Sequence, residues 1–236
     1  MTIPDGRVLL DLPFRGRWLA RNSPARRVPS HGSHTFGSTY AIDFVPVDER
    51  GRSASLTWRT WLAAEPPEAF VGFGRPVLSP AAGTVVLAHD GEPDHGGRRS
   101  LVVGLPYLLG QAGRARAGGG AVAGNHVVVA LAGGGPFVLL AHLRAGTVRV
   151  EPGQPVTPGT EVGRCGNSGN STEPHVHLQV TDSLHWATAR GLPLAFRRPA
   201  GAVPGVEEDG WLPAESEIVD GGPSAAGSGA QPSGGP

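Results

Sequence analysis

The sequence has little of several residue types, and each shortage narrows the class of protein. One of its 236 residues is cysteine, so an intrachain disulfide and a zinc cluster of several thiolates are both excluded. It has no lysine, and its 20 arginines balance 20 acidic residues, which gives a formal net charge of zero. This balance does not indicate a nucleic acid or an anionic membrane as a partner.

The sequence also lacks an apolar run long enough to span a membrane. Its first residues, MTIPDGRVLLDLPFRGRW, place Asp5 and Asp11 where a secretory signal has a basic start and then an apolar segment. We therefore expect no signal peptide and no membrane span. This predicts a cytoplasmic protein, or a cell-wall or extracellular one if another route exports it.

Glycine and proline, by contrast, are abundant, with 37 and 23 residues. They separate short apolar runs such as TYAIDFVPV, NHVVVALA, PFVLLAHL, GTVRV and HVHLQVT. Short strands between tight turns, with few helical patterns, predict a mainly β protein with a compact antiparallel sheet. We expect a single domain over residues 1–220, with a long Gly-rich insertion at about 90–124, and a disordered Gly/Ser/Pro tail over residues 221–236.

A few polar residues interrupt these apolar runs. His175 and His177 are two residues apart on a predicted strand and therefore share a face; they could be packed side chains, two ligands of one metal, or one ligand beside one catalytic residue. Asp43 lies in the run YAIDFV, where a buried carboxylate needs a metal or a hydrogen-bond donor. His142, in VLLAHL, and His34, upstream of Asp43, are each more often structural when taken alone.

Together these residues indicate a catalytic metal. Two histidines and one carboxylate are a common ligand set for catalytic zinc, which lowers the pKa of bound water and polarises a carbonyl group. Peptide hydrolysis also needs groups that accept the proton of the water and stabilise the tetrahedral intermediate. Two further histidines are suited to these roles.

Four motifs resemble, in order, those of the lysostaphin/LytM-type zinc metallopeptidases: SHTFGSTYAIDF, GRPVLSPAAGTVV, FVLLAHL and VEPGQPVTPGTEVGRCGNSGNSTEPHVHLQV. The resemblance covers about half of the chain. It implies the duplicated hybrid motif fold, a mostly antiparallel, barrel-like β structure with an active-site groove. It also implies Zn²⁺ as the cofactor and a peptide substrate, most directly the stem peptides or cross-bridges of bacterial peptidoglycan.

The same resemblance assigns roles to five residues. His34, Asp43 and His177 are similar to the zinc ligands of the family. His142 and His175 are similar to the pair that activates water and stabilises the oxyanion, and the sequence does not assign one role to each.

The chain departs from the usual motif of the family at its first ligand. The family commonly has a histidine four residues before the aspartate, where this chain has Thr39. His34, nine residues before Asp43, is therefore the preferred first ligand, and His31 is the alternative. Gln179 stands where the family often has Glu or Arg, and the sequence indicates no function for it.

Two other functions stay open at this point. One is a catalytically silent LytM-like domain that regulates or binds a cell-wall hydrolase, and the other is a zinc peptidase acting on a different, intracellular peptide. Silent members usually lack a ligand, whereas this sequence offers a residue for every position. The sequence predicts neither the scissile bond nor the oligomeric state. Structural roles are expected for His89, His95, His126, His185 and Cys165.

Overall fold

The computed structural model describes residues 6–100, 118–198 and 210–223. Short strands dominate these residues, which confirms the prediction of a mainly β protein. The strands are β1 (Val8–Leu10), β2 (Arg17–Arg21), β3 (Ile42–Pro46), β4 (Pro76–Leu78), β5 (Gly83–His89), β6 (Asn125–Leu131), β7 (Phe137–Leu143), β8 (Pro155–Val156), β9 (Glu161–Arg164), β10 (Val176–Thr181), β11 (Leu194–Phe196) and β12 (Ile218–Asp220). The helical segments are α1 (Arg59–Leu62), α2 (Gly119–Ala123) and two 3₁₀ turns, Thr35–Tyr40 and Pro67–Ala69.

Eight of the strands form one antiparallel sheet in the order β12-β2-β3-β10-β7-β6-β5-β8. Within the described ranges this sheet is open, with β12 and β8 at its edges, and is not a closed barrel. Two small sheets accompany it: β1 pairs with β11 in parallel, and β4 pairs with β9 antiparallel. β10 and β3 lie side by side in the main sheet and carry the residues of greatest interest.

The two faces of the main sheet differ because side chains alternate along each strand. On β10, Val176, Leu178 and Val180 join the main hydrophobic core, which also contains residues of both small sheets. An aromatic group forms part of this core: Phe44 lies with its ring centroid 4.9 Å from that of Phe14 and 5.5 Å from that of Phe196. The opposite face carries a smaller apolar cluster, and several residues of this cluster line a groove.

The predicted strand GTVRV, residues 146–150, is wrong. The backbone there forms a turn and an irregular stretch. The amides of Gly146 and Val148 donate to the two carboxylate oxygens of Asp90, at 2.8 and 3.1 Å. Because a side chain accepts these hydrogen bonds, this segment does not pair as a strand.

The described residues include no helix that is both long and apolar enough to cross a membrane. The middle of the predicted insertion, residues 101–117, and the predicted tail from residue 224 onward lie outside the described residues. The two ends of the insertion are described. Of these, α2 at the C-terminal end forms one wall of the groove.

Replacing Phe44 with alanine tests the aromatic part of the core. Phe44 is fully buried, so Phe44→Ala should lower the free energy of unfolding by about 3–5 kcal/mol, from lost burial and the cavity left behind. Urea unfolding followed by fluorescence measures this change. The control is Leu62→Ala at a side chain that is 65% exposed, for which the expected loss is less than about 1 kcal/mol. Similar losses in the two variants would contradict the assignment of Phe44 to the core.

Candidate active site

Asp43 and His177 lie directly opposite each other on β3 and β10. Ile42 and Phe44, the neighbours of Asp43, are fully buried in the main core. Alternation along β3 therefore directs the Asp43 carboxylate to the other face of the sheet, where His177 also lies. The apolar pattern around Asp43 is thus what brings a carboxylate and an imidazole together.

Asp43 is 6% exposed, and its carboxylate is surrounded by nitrogen atoms. His177 Nδ1 lies 2.8 Å from Oδ1, and His31 Nε2 lies 3.1 Å from Oδ2. Asn22 donates from Nδ2 to Oδ2 at 2.7 Å, and His175 Nε2 is 3.7 Å from Oδ1. Every close neighbour is thus a group that can stabilise a negative charge.

Three of these residues could hold a metal ion. His31, Asp43 and His177 each offer a potential ligand atom, and these atoms lie within 4.8 Å of one another. Two imidazole nitrogens and a carboxylate oxygen are a donor set that suits Zn²⁺. His34, the first ligand preferred from the sequence, is not in this group; its side chain is exposed, with Nδ1 3.0 Å from Thr39 Oγ1.

His142 reaches the same face through a break in the alternation of β7. Leu140 and Leu143 belong to the main core, whereas Ala141 and His142 both line the groove. The φ angle of His142 is 63°, in the left-handed region, and the pairing with β6 shifts register at this point. This β-bulge adds one residue to β7 and turns His142 toward the other histidines.

Backbone carbonyls define the protonation of the His142 and His175 rings. His142 Nδ1 is 3.0 Å from the carbonyl oxygen of Ser168, and His175 Nδ1 is 2.7 Å from that of Glu173. A carbonyl oxygen only accepts, so each Nδ1 carries the proton. In the neutral rings each Nε2 then has a free lone pair, and the ring centroids lie 4.7 Å apart.

The loop that supplies these carbonyls is held in place by close backbone packing. Gly169, at φ 66°, lies against Gly124, and a Cβ on Gly169 would be 2.5 Å from the Gly124 nitrogen. Asn167 is hydrogen-bonded to the segment that precedes it in sequence. Its backbone amide donates to Asp94 Oδ1 at 2.6 Å, and its side chain donates to the His95 carbonyl at 2.6 Å. The start of the predicted insertion therefore braces the loop beside the histidines.

The histidines line an open groove with a volume of about 470 Å³. One wall consists of α2 and Trp186; Trp186 packs so closely on Gly119 that a Cβ there would be 2.5 Å from the indole. The other wall is the segment containing the first 3₁₀ turn. The lining residues are Asn22, His31, Ser33, Thr35, Phe36, Ser38, Asp43, Gly119, Val122, Ala123, Leu139, Ala141, His142, Asn170, Thr172, His175, His177, Gln179 and Trp186.

The neighbours of Asp43 and His177 shift the pKa values of both side chains. Burial alone would raise the pKa of Asp43, but the charges of His31 and His175 and the hydrogen bonds from His177 and His31 hold that pKa well below its usual value. Burial would lower the pKa of His177, but its hydrogen bond to Asp43, the Asp43 charge and Gln179 together raise it. Asp43 is therefore a carboxylate throughout the neutral range.

His142 has the opposite shift. Burial lowers its pKa well below the usual value, and the charges of His175 and His177 add to the effect. His142 is thus neutral at neutral pH. Its Nε2 can accept a proton, as a general base must.

The structure brings together four of the five residues singled out from the sequence, namely Asp43, His142, His175 and His177, and adds His31. It also shows neighbours that the sequence reading missed. Asn22 follows β2 in an arginine-rich stretch and had no motif to mark it. Gln179 was noted in the sequence without a function, although the same two-residue period places it on the groove face of β10 with His175 and His177.

Comparison with known proteins gives a family match in this part of the chain. Residues 110–188 match the model of Peptidase family M23, which confirms the resemblance found in the motifs. That stretch contains His142, His175 and His177. The comparison with curated proteins found no match.

Several solved structures are similar at low identity. The catalytic domain of the antimicrobial peptidase lysostaphin from Staphylococcus simulans is 19% identical, with 64% of this chain and 74% of that chain covered and a TM-score of 0.35. The catalytic domain of a mutant of the prophage-encoded M23 protein EnpA from Enterococcus faecalis is 17% identical, with 65% and 73% covered and a TM-score of 0.37. A zinc-containing peptidase from Vibrio cholerae is 19% identical, with 72% and 33% covered and a TM-score of 0.34.

His126, which packs against Trp186 of the groove wall, allows a test of its own burial. Burial lowers the pKa of His126, as does the charge of His89, although the hydrogen bond to the Gly124 carbonyl acts the other way. Between the lowered folded pKa and the unfolded value of about 6.5, the unfolded chain binds more protons, so this histidine makes the protein less stable as pH falls. His126→Gln should remove that contribution, which is at most about 1.4 kcal/mol per pH unit.

The measurement is urea unfolding of metal-free wild type and His126→Gln at about pH 7.5 and about pH 5.5. Relative to the variant, the wild type should lose stability at the lower pH. The control is His185→Gln, a change at an exposed side chain outside the groove. If the wild type and His126→Gln change in parallel, His126 does not resist protonation in the folded state.

Proposed function

We propose that this chain, which carries a match to Peptidase family M23, is a zinc-dependent endopeptidase. Its substrate class would be the stem peptides or cross-bridges of bacterial peptidoglycan. The observation that carries this proposal is the convergence of His31, Asp43 and His177 beside His142 and His175 in one open groove. The family match supports peptidase chemistry, and the sequence motifs support the substrate class.

We assign the metal to His31, Asp43 and His177. The distances among their potential ligand atoms favour His31 over His34 as the first ligand, because His34 lies outside the group and faces solvent. When bound, zinc would act as a Lewis acid on the substrate carbonyl and lower the pKa of a coordinated water. His31 and His177 must both present a nitrogen lone pair to hold it, so metal uptake releases any protons that these nitrogens carry.

The two other histidines would carry out the proton transfer. Both hold their Nδ1 proton on a backbone carbonyl, so each Nε2 is free to accept a proton or, once protonated, to donate a hydrogen bond. With its Nε2 lone pair facing the groove, His142 is placed to act as the general base. His175 Nε2 lies 3.7 Å from Asp43 Oδ1 and faces the groove, so once protonated it is placed to donate a hydrogen bond to an oxyanion.

The groove is suited to an extended peptide because it is open and its two walls differ in chemistry. The α2 side contributes the apolar residues Val122, Ala123 and Trp186, whereas the opposite side contributes the hydroxyl groups of Ser33, Thr35 and Ser38 beside Phe36. A peptide lying between these walls would meet apolar surface along one edge and a mainly hydroxyl-bearing surface along the other. The five histidine and aspartate side chains lie between the walls, where the scissile bond would be placed.

Zinc binding separates the enzyme from the silent regulatory domain that the sequence leaves open. The purified wild type should bind about one zinc per chain, and a chelator should abolish hydrolysis of purified peptidoglycan or short bridge peptides. His31→Ala should weaken zinc binding at least about 100-fold, more than the loss of an outer-shell partner causes, while His34→Ala should leave it nearly unchanged. Metal analysis measures the zinc content, and competition with a chromophoric chelator measures the zinc affinity of each variant.

The reverse pattern, with zinc lost in His34→Ala and retained in His31→Ala, would make His34 the ligand. Wild-type protein that stays free of zinc after supplementation would instead favour the silent domain. Full activity in the presence of the chelator would contradict the zinc mechanism.

The catalytic pair can be tested apart from the metal. His142→Ala and His175→Ala should each keep zinc but lower kcat/KM by about 10²–10⁴, the usual contribution of a general acid or base. His185→Ala, outside the groove, is the matched control and should keep full activity. Zinc-loaded His142→Ala or His175→Ala protein with wild-type kcat/KM would remove that histidine from the mechanism.

A further inference from the structure

Gln179 links the candidate metal group to the wall of the groove. It is 3% exposed and follows His177 by two residues on the same face of β10. Its side-chain nitrogen donates to the Phe36 carbonyl at 2.8 Å, and its Oε1 lies 3.0 Å from His177 Nε2. Both ends of this buried amide therefore have a partner.

The Phe36 carbonyl determines which way the amide points. A carbonyl oxygen only accepts, so the NH₂ group of Gln179 must face Phe36 and Oε1 must face His177. Since Oε1 also only accepts, His177 Nε2 must carry a proton. The proton position on His177 is thus set by a backbone group in the opposite wall of the groove.

His177 Nδ1 can donate to the Asp43 carboxylate, so with Nε2–H held by Gln179 it is Nδ1 that would give up its proton to bind a metal. Nδ1 is the atom beside Asp43 Oδ1, at 2.8 Å, and so lies on the side of the candidate metal group. We propose that Gln179 is a positioning residue that fixes the His177 tautomer and ring orientation for metal binding through Nδ1. This inference rests on the proposed zinc site, and outer-shell partners of this kind typically change metal affinity 10- to 100-fold.

The turn that supplies the carbonyl is shaped for this contact. Phe36 and Gly37 have φ angles of 57° and 80°, both in the left-handed region. A Cβ on Gly37 would lie 2.5 Å from Thr181 Cγ2 and 3.5 Å from Gln179 Nε2, so the turn lies directly against β10. The close approach that only glycine allows is what brings the Phe36 carbonyl within reach of Gln179.

The test measures zinc affinity by chelator competition in three variants. Gln179→Leu removes the acceptor from His177 and should raise the zinc dissociation constant about 10- to 100-fold. Gln179→Glu keeps an acceptor for Nε2–H but loses the donor to the Phe36 carbonyl, so its zinc dissociation constant should rise less than that of Gln179→Leu. The control is Gln154→Leu, at a glutamine whose side-chain oxygen accepts from the Glu151 amide in an exposed turn, and it should bind zinc like the wild type.

A second measurement needs no variant. Nitrogen-15 NMR of the zinc-loaded wild type should show His177 with its proton on Nε2; a proton on Nδ1 overturns the inference. Unchanged zinc affinity in Gln179→Leu also overturns it, even with a lower Tm, because a purely structural role affects stability alone. If the wild type itself binds no zinc, the proposed function fails together with this inference, whereas tight wild-type binding with an unaffected Gln179→Leu contradicts the inference only.

Discussion

The buried charge of Asp43 is the constraint on which the site depends. A carboxylate with little access to water is stable only where other groups replace its lost hydration. Asn22, His31, His175 and His177 do so, and they come from the end of β2, two loops and β10. The fold must bring these segments together to accommodate the charge. The meeting of these segments also assembles the candidate metal group.

A second constraint acts on His142 and His175. The left-handed φ angle of His142 is unfavourable for a residue with a Cβ, and it persists because the surroundings hold it. The Ser168 carbonyl accepts a hydrogen bond from His142 Nδ1–H, and the Ser168 hydroxyl donates to the Leu143 carbonyl at 2.8 Å. The loop that orients His142 also holds His175 through the Glu173 carbonyl. One loop thus sets the ring orientation of both histidines, which couples their geometry.

The sequence predicts most of the strands because their apolar runs are bounded by glycine and proline turns. It predicts the meeting of Asp43, His142, His175 and His177 from four motifs in order. It does not decide between His31 and His34, because that depends on the path of an irregular loop with left-handed residues, which has no periodic pattern. The bulge at His142 is equally hidden, since VLLAHL reads as a regular strand.

The family match covers residues 110–188 and therefore leaves out His31 and Asp43. The two parts of the candidate metal group are joined by the pairing of β3 with β10, in which Asp43 is opposite His177. A slip of one residue would turn Asp43 into the core and expose the fully buried Ile42 and Phe44. The apolar side chains of β3 thus fix the register, and through it they determine that a carboxylate meets the histidine of β10.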